Sequence, residues 1–150
     1  MNSIRQTICV LALGAASLMM TTGALAEEWP LVPGSYWEVT GIHIKDGGGL
    51  KYATWLATEW KKNLEFSKSK GWIKDYKIFS NEFARAGEPD LYLVRIVDSV
   101  VSGAESEKRQ AEYMEWQKKS LAQMDAESGN RVEYREVMSS SLLQELTFRK

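Results

Sequence analysis

Leu91-Tyr92-Leu93-Val94-Arg95-Ile96-Val97 is the stretch on which the fold turns. Its run of aliphatic and β-branched side chains reads as a strand. Successive side chains of a strand point to opposite faces, so Leu91, Leu93 and Val97 line one side and Tyr92, Val94 and Ile96 the other. Arg95 is the single charged member. Both sides are thus apolar, which suits a central strand, and one layer of helices can cover only one of them.

Upstream, residues 72–83 form another β-favouring run, joined to this strand by residues 84–90 (ARAGEPD). Gly87 and Pro89 supply the turn chemistry of a hairpin there. Residues 36–44 (YWEVTGIHI) predict a first strand, and Asp46-Gly47-Gly48-Gly49 breaks the chain after it. From residue 50 to 70 the apolar residues Ala53, Leu56, Ala57, Trp60 and Leu64 fall at helical spacing, with Gly71 placed as a C-cap. A second helix is expected over residues 105–127, carrying Tyr113, Met114, Gln117, Leu121 and Met124 on one face and ending at Gly129-Asn130. Residues 131–138 and 142–149 read as two closing β segments, separated by Ser139-Ser140-Ser141 acting as a bulge or a tight turn.

The expected fold is therefore α+β, in the order β-α-β-β-α-β with an extra C-terminal strand. Crossover rules place its two helices on one face of an antiparallel sheet. Residues 27–35 (EEWPLVPGS) read as an extended lead-in and residues 36–150 as a single domain.

The first 26 residues have the pattern of a cleaved signal peptide: Arg5, an apolar run from Ile8 to Met20, and Ala24-Leu25-Ala26 before the expected cut. The run is shorter than the roughly 20 residues that span a bilayer, so the expectation is an exported protein, periplasmic or secreted, with no membrane insertion after cleavage. The only cysteine, Cys9, lies inside that segment. Beyond it the chain has neither disulfide nor thiol to use in an oxidising compartment. All six Trp and all six Tyr lie beyond it as well.

Across its 150 residues the chain is 44% hydrophobic and 26% charged, with 19 Lys and Arg against 20 Asp and Glu. That composition is globular. The net charge of −1 provides no basic footprint for nucleic acid.

The uncovered side of the central strand calls for a second subunit or a ligand, because a small domain rarely leaves a large apolar patch bare. On a regular helix Trp55 and Trp116 lie off the apolar stripes, where they serve a subunit interface, pack under a loop or form a ligand platform. In order and length of elements, residues 36–149 resemble the dimeric α/β-barrel superfamily of ferredoxin-like subunits. That resemblance implies a homodimer. It also implies either a cavity for a small molecule or, as in the antibiotic-biosynthesis members, oxidation of aromatic substrates without metal or flavin. Trp60, Asn63 and Tyr76 are residue types such sites use. Haem-degrading relatives are disfavoured, since the second helix holds no histidine.

The residues themselves exclude several chemistries. One histidine, His43, and no cysteine beyond residue 26 leave no ordinary zinc site, so neither metal nor cofactor is expected. No Gly-x-Ser-x-Gly elbow, phosphate loop or dinucleotide fingerprint is present. His43 and Arg95, on two strands expected to be central neighbours, are candidates to recognise an acidic ligand, if register turns them to one side. The other reading of His43 is a hydrogen-bonded strand-end residue. The expected role is small-molecule binding or interaction, taking an apolar or acidic ligand through His43, Arg95, Trp60, Asn63 and Tyr76. A cofactor-independent monooxygenase is the alternative, and docking of another protein a third.

Overall fold

The structure, a computed structural model, describes residues 28–150. The expected signal peptide lies outside the described residues. Strands β1 (Leu31–Ile44), β2 (Asp75–Ser80), β3 (Leu91–Val97) and β4 (Arg135–Phe148) form one antiparallel sheet in the order β2-β3-β1-β4. Helices α1 (Gly49–Trp55) and α2 (Lys61–Ser69) are joined by a π-helical turn, Leu56–Trp60, into a single rod. Helices α3 (Gly103–Gln117) and α4 (Leu121–Asn130) follow β3, and a 3₁₀ turn, Arg131–Glu133, leads into β4. The chain is thus α+β, with β3 bounded as its composition predicts.

The π-helical turn explains which side of the rod is buried. In a regular α-helix, residues spaced by four drift about 40° around the axis at each step. The wider i→i+5 turn offsets that drift. Tyr52, Leu56, Trp60 and Leu64 therefore stay in line along the sheet, with Tyr52, Leu56 and Leu64 buried and Trp60 packed against both core clusters. The alanines expected on this stripe, Ala53 and Ala57, are exposed. The rod ends in paired bonds, Trp72 N–H to Ser67 O at 2.9 Å and Gly71 N–H to Lys68 O at 3.0 Å, with Gly71 at φ +69°. This left-handed closure is the one a glycine best permits.

Three expectations need correction. The helix predicted over 105–127 is two helices. Lys118 takes a left-handed conformation (φ 54°), and Ser120 restarts the chain by accepting from Gln123 N–H while the Gln123 side chain accepts from Ser120 N–H. Ser-x-x-Gln is the sequence form of this capping box. The extra C-terminal strand does not exist, because Ser139-Ser140-Ser141 lies inside one 14-residue strand, β4. The discontinuity there is a bulge: Gly41 pairs with Ser139 and Ile42 with Val137, leaving Met138 as the additional residue. Gly41 must be small at that point, since a Cβ would lie 2.4 Å from Ser139 Oγ and 2.6 Å from a Pro89 carbon. Finally, β1 starts at Leu31, inside the expected lead-in, and residues 31–33 pair with Leu146, Thr147 and Phe148.

Register assigns the two faces of the sheet. Tyr36, Glu38 and Ile42 of β1 share a side with Leu91, Leu93, Arg95 and Val97 of β3 and with Tyr76 of β2. The rod covers this side, placing Tyr52 and Leu56 over Ile42 and Leu93, and Leu64 over Val97, where Ile73 of the following turn joins them. Trp37, Val39, Tyr92, Val94, Ile96, Phe79 and Leu143 lie on the other side. Val94 and Ile96 are buried there yet belong to neither core cluster, while Phe79 and Leu143 are exposed.

Candidate functional site: the cleft between α3 and the sheet

Three elements meet around a cleft of about 480 Å³. The sheet contributes Glu38, Arg95 and Val97; the end of the rod contributes Ser67, Trp72 and Ile73; α3 contributes Arg109, Gln110 and Tyr113. The helices are held at this separation by an aromatic cluster. Phe66 stacks on Trp116 with ring centroids 4.1 Å apart, meets Trp72 edge-on at 5.4 Å, and approaches Tyr113 at 6.0 Å. Trp116 is thereby half-buried inside the chain, and Trp55 likewise stacks on Tyr52 at 5.6 Å. Both tryptophans pack against aromatic residues on the helices, Tyr52 of α1 and Phe66 of α2, and not under a loop.

The polar edge of the cleft is made of two guanidinium–carboxylate pairs. Arg95 faces Glu38 across the β1–β3 ladder. Arg109 donates from Nε to Glu105 Oε1 at 2.7 Å, one helical turn away, and its guanidinium lies 5.9 Å from the Trp72 ring centre. The Arg109 bond holds the Glu105 carboxyl below its ordinary value, so that pair stays ionised. Burial pushes the Tyr113 hydroxyl up, and Gln117 donates to its oxygen at 3.0 Å. Val97, Val100, Val101 and Ile73 supply an apolar wall. The cleft can hold an apolar body at one end and offer guanidinium donors to an acidic group at the other.

Of the five residues the sequence singles out, only Arg95 lines this cleft. His43 lies between Ile42 and Ile44, which both face the rod, so its side chain takes the other face from Arg95. Its Nδ1 is 2.8 Å from Asp90 Oδ2, an oxygen that also accepts from Ile44 N–H at 2.7 Å. This is the strand-end arrangement. Trp60 and Tyr76 do meet, edge to face at 5.4 Å, between the rod and β2. The Tyr76 hydroxyl donates to Glu65 Oε1 at 2.5 Å, and that bond, with burial behind it, pushes its pKa up to about 12. Asn63 accepts from Gln117 Nε2 at 2.6 Å, on the seam between the rod and α3.

Sequence reasoning passed over Arg109 and Trp72. The signal available for Arg109 was the four-residue spacing of Glu105, Arg109 and Tyr113, which aligns them on one face of α3. Among the described residues no three His, Cys, Asp or Glu side chains are grouped to hold a metal ion, and no helix is long and apolar enough to cross a membrane.

The sheet, the helices and this cleft define the chain as an α+β protein with an internal cleft under its helix layer. No family model, curated protein or solved structure matches it.

Proposed function

We propose that this chain is an exported, ferredoxin-like subunit of a dimeric α/β barrel that binds a small molecule combining an acidic group with an apolar body. The observation that carries the reading is the cleft, where Arg95 and Arg109 stand beside Trp72, Tyr113 and a valine-rich wall. Each guanidinium already has a carboxylate partner, so the acidic group shares a paired cation and affinity comes chiefly from the apolar body. The strand order β2-β3-β1-β4 supports the ferredoxin-like arrangement. The apolar residues on the uncovered face, Trp37, Val39 and Phe79 among them, support a twin subunit as their cover.

The oxygenase alternative is less well supported. It needs Trp60, Asn63 and Tyr76 around one cavity, and the polar atoms of Asn63 and Tyr76 are bonded to Gln117 and Glu65.

Thermal denaturation of the chain against a panel of aromatic and aliphatic carboxylates tests the binding role, since a ligand selective for the native state raises Tm with concentration. At least one should give a saturable rise that Arg95→Ala and Arg109→Ala reduce. A rise unchanged in both variants removes the cleft from consideration. Sedimentation of the same sample should give twice the chain mass, and a monomer at all concentrations removes the barrel.

A further inference from the structure

A second set of cavities lies on the far side of the rod, in its seam with α4. One of about 440 Å³ is lined by Lys51, Trp55, Glu133 and Tyr134 among others, and a smaller one of about 160 Å³ reaches Asn63, Tyr113 and Met124. Trp55, Glu59, Lys119, Glu127 and Arg131 line both, so the two form a continuous groove.

The charges around this groove are paired with two exceptions. Lys51 bonds Glu133 at 2.8 Å, and Lys119 bonds Glu127 at 2.7 Å. Arg131 and Glu59 have no ion-pair partner within 4 Å among the described residues, although they are opposite in sign and line the same cavities. The Arg131 guanidinium lies 4.4 Å from the Trp55 ring centre, with Nη1 donating to Glu127 O at 3.0 Å and a buried Nε that meets no acceptor. Burial, reinforced by Arg135 nearby, pulls its pKa below the ordinary arginine value. Glu59 sits in the π-helical turn, one four-residue step from Trp55 and one from Asn63. A cation and an anion without an ion-pair partner, beside the half-buried Trp55, suit a ligand carrying both charges close together on an apolar body.

We propose that the seam binds a zwitterion of the α-amino-acid class with an apolar or aromatic side chain. The ligand carboxylate meets Arg131, its ammonium meets Glu59, and its side chain lies against Trp55 and Tyr134. The site is independent of the Arg95 cleft and shares no residue with it except Tyr113 at the edge of the smaller cavity.

Titration of the chain with L-phenylalanine, followed by tryptophan fluorescence and calorimetry, tests the proposal. Saturable binding is expected. Phenethylamine, which lacks the carboxylate, and 3-phenylpropionate, which lacks the ammonium, should each bind about tenfold more weakly or worse, because each leaves one charge unmatched. Arg131→Met and Glu59→Gln should each cost a similar factor, whereas loss of phenylalanine binding in Arg95→Ala would place the ligand in the other cleft and overturn the proposal. Glu59 is exposed, so Glu59→Gln provides a folded variant should Arg131→Met unfold the seam. Absence of saturable binding, equal binding of 3-phenylpropionate that persists in Arg95→Ala, or full binding by Glu59→Gln overturns the proposal.

Discussion

On the side of β3 that carries Leu93 and Val97, the rod closes over the strand with Tyr52, Leu56 and Leu64. On the side that carries Val94 and Ile96, register sets Trp37, Val39 and Tyr92 around them as neighbours within the sheet. Lys77 extends its ammonium over the Trp37 ring, 5.3 Å from the centre. Val94 is 2% exposed and Leu93 8%, so burial of a single side chain does not distinguish the two sides. The difference lies in what buries it. A packed helix contributes its own apolar surface to the gain, whereas lateral cover by in-sheet neighbours leaves the outer surface of those neighbours wet.

The sharpest way to break this comparison is to remove a large side chain from each side. Leu56→Ala opens a cavity under the rod and should cost about 2–5 kcal/mol in urea denaturation. A loss below about 1 kcal/mol would show that the rod does not form the cohesive layer. Next is the alkaline limb. Burial pushes the Tyr52 hydroxyl from 10.0 up to about 12. The native state therefore favours the protonated form, so this contribution is complete below pH 10 and is lost as pH rises towards 12. Stability should fall by up to about 2 kcal/mol over that interval, and Tyr52→Phe should flatten the fall. A profile unchanged by the substitution would assign the alkaline loss elsewhere.

Val94→Ala tests the other side. Removing its two methyl groups from lateral cover should cost about 1–1.5 kcal/mol in the isolated chain. A cost matching that of Leu56→Ala, together with a Tm that rises with protein concentration, would mean that a second layer sits over Val94, as the proposed twin subunit requires. Smallest is His43→Ala. The His43 and Asp90 side chains are exposed, so the change should cost only about 0.2–1 kcal/mol and leave ligand binding in the Arg95 cleft intact. Loss of that binding would return His43 to the site.

Much of the fold was legible because it rests on local chemistry. β3 was read at its true bounds, the rod within one residue at each end, and Gly71 as its stop. The break between α3 and α4 was equally local, written in Ser120 and Gln123, but the apolar spacing running through residue 124 concealed it. Joining two β segments into β4 was not local, because the partner that carries Ser139-Ser140-Ser141 through as strand is Gly41, nearly a hundred residues earlier. For the site, Arg95 was legible as the lone charge on an apolar strand. Asn63 and Tyr76 lie apart from it, their polar atoms bonded to Gln117 on α3 and Glu65 on the rod.

Amino-acid order alone therefore determined the elements from β1 to β3 and their succession, and a sheet with apolar side chains on both faces. These depend on turn chemistry and side-chain periodicity over a few residues. Tertiary structure alone decided that Arg95 meets Glu38 and not His43, that Trp55 and Trp116 turn inward, and that Arg131 and Glu59 border one groove. The reason is register: a strand shifted by one residue turns every side chain to the other face, and only the packed sheet selects among the shifts.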